Sequence, residues 1–200
     1  MAEEILTKEI AQKLMEIKGE CRQENIKVDW EYVINKYGGD GLKKLEDKMT
    51  EIGYPLKYKE IKPMNFCPIG LETISMLAIR DVFRLDDKDL EEMGAEATKF
   101  SLLMRVFFKY FVSLQMVADE IPKMWLKHYT LGNVEMPEYN VDKKYVVLRV
   151  KDFNVHPIFC IVFKGYFSKV AEMVIKSRVI TEEVKCTFKG GEYHEYLIKW

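Results

Sequence analysis

Cysteine is scarce. Four residues in 200, Cys21, Cys67, Cys160 and Cys186, are too few and too scattered for a disulfide scaffold. A chain of this length buries enough core to fold without one, so the four read as reduced thiols. No run approaches the ~18 uninterrupted apolar residues that a spanning helix needs, which excludes membrane insertion. The opening residues MAEEILTKEIAQKLMEIKGE carry charges every two or three positions, unlike a secretory signal, and the cytoplasm is the expected location. Neither sign of charge dominates. With 31 basic and 32 acidic residues the net charge is -1, which leaves nothing to attract a polyanion, and no nucleic-acid partner is expected. The charges are interspersed, and extended disorder is excluded. No glycine-rich phosphate loop follows a strand, and no Gly-x-Ser-x-Gly elbow is present; Gly38-Gly39-Asp40-Gly41 reads as a turn between helices.

What is present divides into two styles. Residues 1–60 read as a helical N-terminal extension. Ile5, Ile10, Leu14 and Ile17 repeat at helical spacing behind Thr7 as a possible cap. A second helix over Asp29–Lys36 is closed by Gly38-Gly39, and a third runs from Asp40 to Ile52 with Gly53 at its end; all three read as amphipathic surface helices. Pro55, Pro63 and Pro68 mark the entry to a second part, residues 61–200. Helical spacing resumes over Leu71–Phe83, and Asp86-Asp87-Lys88-Asp89 is an acidic helix start. Ala95 to Val117 carries Phe100, Leu103, Met104, Phe107, Phe111 and Leu114 on one stripe and further apolar residues on others, which predicts one helix that is centrally buried, a pocket wall or a subunit interface, with Pro122 limiting the start of the next. Tyr145–Val150 alternates as a strand, Ile158–Lys176 is helical behind His156-Pro157, and Val179–Phe188 with Tyr193–Trp200 form a hairpin about Lys189-Gly190-Gly191-Glu192. The fold class is α+β: a helical N-terminal part followed by an antiparallel sheet packed on helices.

The chemistry concentrates in that hairpin. Cys186 offers a thiolate, His194 an imidazole and Glu183 a carboxylate, a donor set suited to tetrahedral zinc. Cys160 lies upstream at the start of the long helix. A strict two-residue turn would put Cys186 and His194 on opposite faces of the sheet, so a shared metal requires an odd-length turn or a bulge. Glu182 and Glu183, as neighbours on a strand, point to opposite faces with one solvated. Cys21 and Cys67 have no His or acidic partner that the sequence places, so a nucleophile role has no support.

The run Cys160-Ile-Val-Phe-Lys-Gly165-Tyr166, then Glu183-Val-Lys-Cys186, then Gly190 and His194 before an apolar strand resembles the vinyl-reductase-type ligand-binding domain of bacterial aromatic-compound sensors. That domain is related in fold to TRAPP vesicle-tethering subunits and to haem-nitric-oxide-binding-associated proteins. The resemblance covers about Pro63 to Trp200. It implies a zinc site at Cys160, Glu183, Cys186 and His194, with His194 standing where the sensors have a third Cys. It also implies a small apolar or aromatic ligand between helices and sheet, and a homodimer. Phe100, Met104, Phe107, Phe111, Trp125 and Tyr166 are the residues expected at that pocket.

His128 is expected to be a helix-end histidine bonded to backbone. The Tyr-x-Ser-x-Arg element of haem-nitric-oxide-binding domains is broken, since Tyr166-Phe-Ser168-Lys-Val170 has Val in the Arg place, and haem is therefore disfavoured. Four protein donors would close the metal to water, which favours structure over catalysis, and no catalytic residue is assigned. The function expected is a non-catalytic small-molecule-binding or sensory domain with structural zinc. The alternatives are an enzyme acting on a small aromatic or apolar substrate and a TRAPP-like assembly module.

Overall fold

The computed structural model of the protein describes residues 5–101 and 113–200. Among these, six α-helices and six strands follow the order α1 (Lys8–Met15), β1 (Glu20–Arg22), α2 (Gln23–Ile52), β2 (Phe66–Pro68), α3 (Ile69–Phe83), α4 (Asp87–Phe100), α5 (Leu114–His128), β3 (Asn133–Asn140), β4 (Tyr145–Lys151), α6 (Ile158–Ile175), β5 (Ile180–Lys185) and β6 (His194–Lys199). The class is α+β, as the patterning predicts. A four-stranded antiparallel sheet, in the order β3-β4-β6-β5, packs one face on helices, and β1 pairs with β2 as a separate ribbon.

Local signals in the sequence explain many of the boundaries. Thr7 caps α1 by accepting from Ile10 N at 3.3 Å. Asp86 and Asp89 form a reciprocal capping box at the start of α4. Along α2 the backbone leaves helical geometry at Gly38, where the sequence separates two helices. The buried face of α2 is more than a surface stripe: Trp30, Val33, Leu45 and Met49 are fully buried, and Trp30 Nε1 donates to Ser75 Oγ of α3 at 2.7 Å. Strand β4 alternates as expected, with Val146, Leu148 and Val150 inward.

Helix α6 lies beneath the inner face of the sheet and against α4. The two helices touch backbone to backbone, because a Cβ on Gly165 would sit 1.8 Å from Glu91 O and one on Gly94 would sit 2.1 Å from Val162 O. Only glycine permits this approach. It fixes the distance of Cys160 from the sheet. Around the crossing, Trp125, Phe153, Phe159 and Phe163 pack largely edge to face, with ring centroids 5.0–5.5 Å apart.

Two expectations are corrected, and one strand that the sequence does not show is added. No single helix spans Ala95–Val117: α4 stops at Ser101, whose ψ of 125° is extended, and α5 begins at Ser113, whose hydroxyl accepts from Met116 N. Two serines that cap and break helices outweigh the apolar periodicity on either side. Pro122 lies inside α5 and does not limit its start. Strand β3 carries Pro137 within an irregularity of its pairing between Glu135 and Glu138, at the edge of the sheet, where a missing N–H is tolerated and the strand signal is weak.

Candidate functional site

The hairpin expected to gather metal donors does so through two deviations from a regular ladder. Thr181 and Glu183 of β5 face inward at strand period. The register then shifts between Glu183 and Lys185, and this bulge turns Cys186 to the same inner face. The chain closes through a short 3-10 turn over Thr187–Lys189, not through two residues. Gly190 adopts φ 86°, and Gly191 sits so near Cys186 that a Cβ there would lie 2.9 Å from its carbonyl oxygen. His194 opens β6 on the inner face. Cys160, in the first turn of α6, projects up to meet them.

Cys160 Sγ lies 3.7 Å from Cys186 Sγ and 3.5 Å from His194 Nδ1, and His194 Nδ1 lies 3.3 Å from Glu183 Oε1. All four donor atoms lie within 4.8 Å of one another; among the described residues no other three His, Cys, Asp or Glu donors gather this way. Cys160, Cys186 and His194 are buried, whereas Glu183 keeps an edge to solvent. On its far side His194 Nε2 is 3.2 Å from Phe153 O and 2.9 Å from Thr187 Oγ1. The carbonyl can only accept, which assigns the ring proton to Nε2 and turns the Nδ1 lone pair toward the sulfur and the carboxylate. Two acceptors then face each other, and a cation between them, a proton or a metal ion, relieves the conflict. Burial, then the charges of Glu183 and Cys186, push the Cys160 thiol well up. Burial alone would raise Glu183, but contacts with His194, Cys160 and Cys186 and the charge of Lys189 hold it below the usual carboxylate value. A shallow groove lined by Asp87, Lys164, Thr181 and Lys189 leads from solvent to Cys160 and Glu183. Glu182 is exposed, opposite in direction to Glu183.

A cavity of about 130 Å³ lies between α5, α6 and the sheet. Trp125 and Tyr166 line it, as the resemblance implies; Phe100 does not, and Met104, Phe107 and Phe111 fall outside the described residues. Val117, Met136, Phe163 and Val170 complete much of its apolar wall. One end is polar, and the sequence does not disclose it. Glu24, Asn25, Asp29, Glu72, His128 and Tyr129 arrive there from α2, α3 and the end of α5. Tyr129 Oη donates to Glu72 Oε1 at 3.0 Å, and Ser101 Oγ donates to Glu24 Oε1 at 3.3 Å. His128 does not bond backbone as expected: its Nδ1 meets Asn25 Oδ1 at 2.8 Å, and its Nε2 is buried without a partner. Burial first, then Arg22 and Lys127, push the His128 imidazole down to about 4. Burial pushes Glu72 up to about 7, and burial and the charge of Glu72 raise Asp29 well above its ordinary range. Cys21 and Cys67 sit behind Glu72, directly opposite on β1 and β2, with sulfurs 3.5 Å apart.

No helix of the described residues is long and apolar enough to cross a membrane. No family model matches the sequence, and no curated protein matches it. Solved structures do match in fold. An H-NOX protein from S. oneidensis in the Fe(II)NO ligation state superposes with a TM-score of 0.68 at 11% identity, over 89% of this chain and 98% of that one. An oxygen-binding H-NOX domain related to soluble guanylate cyclases gives 0.62 at 11%, over 86% and 90%. A structure titled for modulation of haem redox potential by porphyrin distortion gives 0.61 at 14%, over 90% and 99%. The likeness supports the haem-nitric-oxide-binding side of the expected relationship, and the vinyl-reductase assignment has no support from it. It also corrects the expectation that disfavours haem: the neighbours in fold are titled for haem redox potential, an Fe(II)NO state and an oxygen complex. The chain's own residues fit such a group at one point, since His128 presents an unpartnered buried Nε2 on the cavity wall with its Nδ1 anchored, the arrangement of an oriented imidazole ligand. At these identities the likeness establishes the fold, an α+β domain of the H-NOX type.

Proposed function

We propose that the protein is a non-catalytic small-molecule-binding or sensory domain whose terminal hairpin is pinned to α6 by a structural zinc ion at Cys160, Glu183, Cys186 and His194. One observation carries the metal. Tetrahedral zinc, with bonds of about 2.3 Å to sulfur and about 2.0–2.1 Å to nitrogen or oxygen, sets donor edges of about 3.8 Å for S···S, about 3.5 Å for S···N and about 3.4 Å for N···O. Three of the six separations here are 3.7, 3.5 and 3.3 Å, and the whole set lies within 4.8 Å. Phe153 O and Thr187 Oγ1 orient the imidazole from behind, as outer partners of metal-bound histidines do. Four protein donors leave no position for a reactive water, which supports structure over turnover.

The sensory part of the reading draws on the cavity, which lies beside the helix that the metal would anchor. Metal analysis of protein purified without a polyhistidine tag tests the zinc. About one equivalent, with Cys186→Ala losing both metal and melting temperature, is expected for a structural site. Less than about a tenth of an equivalent, with Cys186→Ala as stable as the parent, would sink it.

A second reading is favoured by His128. Its free Nε2 and apolar surroundings would hold a haem by an axial imidazole, and haem would supply affinity for a small gas. Asn25 would fix the ring, and Val117, Met136 and Phe163 would exclude water. Titration with haemin reads this directly: a Soret band that forms in the parent and is lost in His128→Ala supports it, and spectra unchanged from free haemin contradict it.

A further inference from the structure

Cys21 and Cys67 take no part in the metal site or in either reading of the cavity, yet they are placed for chemistry with each other. They are direct partners across the antiparallel β1–β2 pair, with sulfurs 3.5 Å apart. Residues opposed in this way keep their Cα atoms about 4.5–5.5 Å apart, inside the roughly 4.4–6.8 Å that a disulfide spans. Bonding requires the sulfurs to close to about 2.05 Å. The ribbon is two strands of three residues each, outside the main sheet, so the movement required is short and local. A metal does not account for the pair, since among the described residues no three donors gather around it.

The two thiols differ in access. Cys67 is 6% exposed, and Cys21 is fully enclosed. Contact with Cys67, burial and the charge of Glu72 also push the Cys21 thiol up, which leaves the first attack on an oxidant to Cys67. Such an oxidant must be small, and hydrogen peroxide is little larger than water.

The ribbon also holds the end of α5. Cys21 forms an isolated antiparallel bridge with Tyr129, and Thr130 N donates to Glu20 O at 3.0 Å. The Arg22 guanidinium donates to Lys127 O and, at 3.0 Å, to Met64 O. A covalent tie between β1 and β2 therefore restrains residues 127–130, which adjoin the polar end of the cavity.

We infer that Cys21 and Cys67 form a reversible disulfide with hydrogen peroxide as oxidant, and that this bond clamps the ribbon against the end of α5. The Cys67 sulfur bonds to one peroxide oxygen as the O–O bond breaks, giving a sulfenic acid and one water. The Cys21 sulfur then bonds to the Cys67 sulfur, the S–O bond breaks, and a second water leaves. The two sulfurs together lose two electrons, the peroxide gains them, and both thiol protons depart in the waters. A dithiol reductant reverses the bond by exchange.

Peptide mapping of the full chain tests this after treatment with hydrogen peroxide and capping of free thiols with N-ethylmaleimide in denaturant. A peptide joining Cys21 to Cys67, released by dithiothreitol, is expected. The melting temperature should rise by about 5 °C or more, and amide exchange at Thr130 should slow. Cys67→Ser, or Cys67→Ala if the serine variant does not fold, should show none of the three changes. Cys21 and Cys67 both recovered as maleimide adducts, or joined to Cys160 or Cys186 instead, overturns the disulfide. The expected link with Thr130 exchange and melting temperature unchanged overturns the clamp. Each of these results leaves the zinc and cavity readings standing, so the failures are distinguishable.

Discussion

Each half of the molecule buries two thiols beside a glutamate and within reach of a histidine. At the hairpin, Cys160 and Cys186 stand 3.7 Å apart with Glu183 and His194; at the ribbon, Cys21 and Cys67 stand 3.5 Å apart with Glu72 in front and His128 nearby. The ingredients match, but the chemistry does not. At the hairpin the imidazole lone pair points into the cluster, the carboxylate reaches solvent and keeps its charge, and Lys189 stands beside it. At the ribbon the imidazole turns toward Asn25 and the cavity, Glu72 is fully enclosed and tends to hold a proton, and the thiol of Cys21 is raised by its contact with Cys67, by burial and by Glu72. Convergence of lone pairs on one point makes a cation site, and enclosure without convergence makes a proton-holding one.

The largest expected effect breaks the comparison outright. Cys186→Ala should remove the metal and cost about 4 kcal/mol or more, roughly 10 °C in melting temperature, whereas Cys21→Ala should cost about 1–2 kcal/mol and leave metal content unchanged. Scanning calorimetry with metal analysis on both variants checks it, and equal losses would mean that the two thiol pairs play the same part.

Gly165→Ala comes next. Its Cβ would overlap Glu91 O, so α4 and α6 must separate, at a cost of about 3 kcal/mol, and Cys160 moves while the ribbon does not. Denaturation should show the loss of stability, and metal content should fall with it. An unperturbed Gly165→Ala protein would contradict the backbone contact that sets the distance of Cys160 from the sheet.

Glu72→Gln sharpens the other side. In the folded protein Glu72 keeps its proton to about pH 7, while in the unfolded chain it loses it near its ordinary 4.5. The folded state therefore binds the extra proton between these values, and its stability from this group falls as pH rises through that window. Gln has no proton to lose. The stability of Glu72→Gln relative to the parent should rise by about 3 kcal/mol from pH 4.5 to 7, read from denaturant curves at each pH. Asp29, Cys21, Tyr129 and His128 face or neighbour the same carboxylate. His128, pushed down to about 4, contributes stability that grows from there toward its ordinary 6.5, and because both proteins contain it the difference isolates Glu72. A pH-independent difference would contradict the enclosed carboxyl.

The smallest effect is Thr187→Val, which removes one of two acceptors behind His194 and should weaken metal affinity about tenfold, measured by chelator competition.

The sequence carries much of this design at close range. The Glu183, Cys186 and His194 set and the need for a bulge or longer turn are both legible, because strand period fixes which side chains share a face and the bulge at Val184 is the expected deviation, while Cys160, on a helix, joins the set only through the resemblance. The caps at Thr7 and Asp86 are legible for the same local reason. The ribbon and the polar end of the cavity are not. Cys21 and Cys67 are 46 positions apart, on strands of three residues each, too short to show alternation. Glu24, Asp29 and Glu72 look like ordinary surface residues of amphipathic helices until tertiary packing turns them inward. The apolar stripes between Ala95 and Val117 mislead, since their periodicity outweighs two serines on paper and not in the chain.

X-ray absorption at the zinc edge on untagged, freshly purified protein tests the central claim most directly. A shell of two sulfurs at about 2.3 Å with one nitrogen and one oxygen at about 2.0–2.1 Å is the predicted result, and Cys160→Ser should leave a single sulfur. A shell without sulfur, or protein that holds no metal while remaining folded, would contradict it.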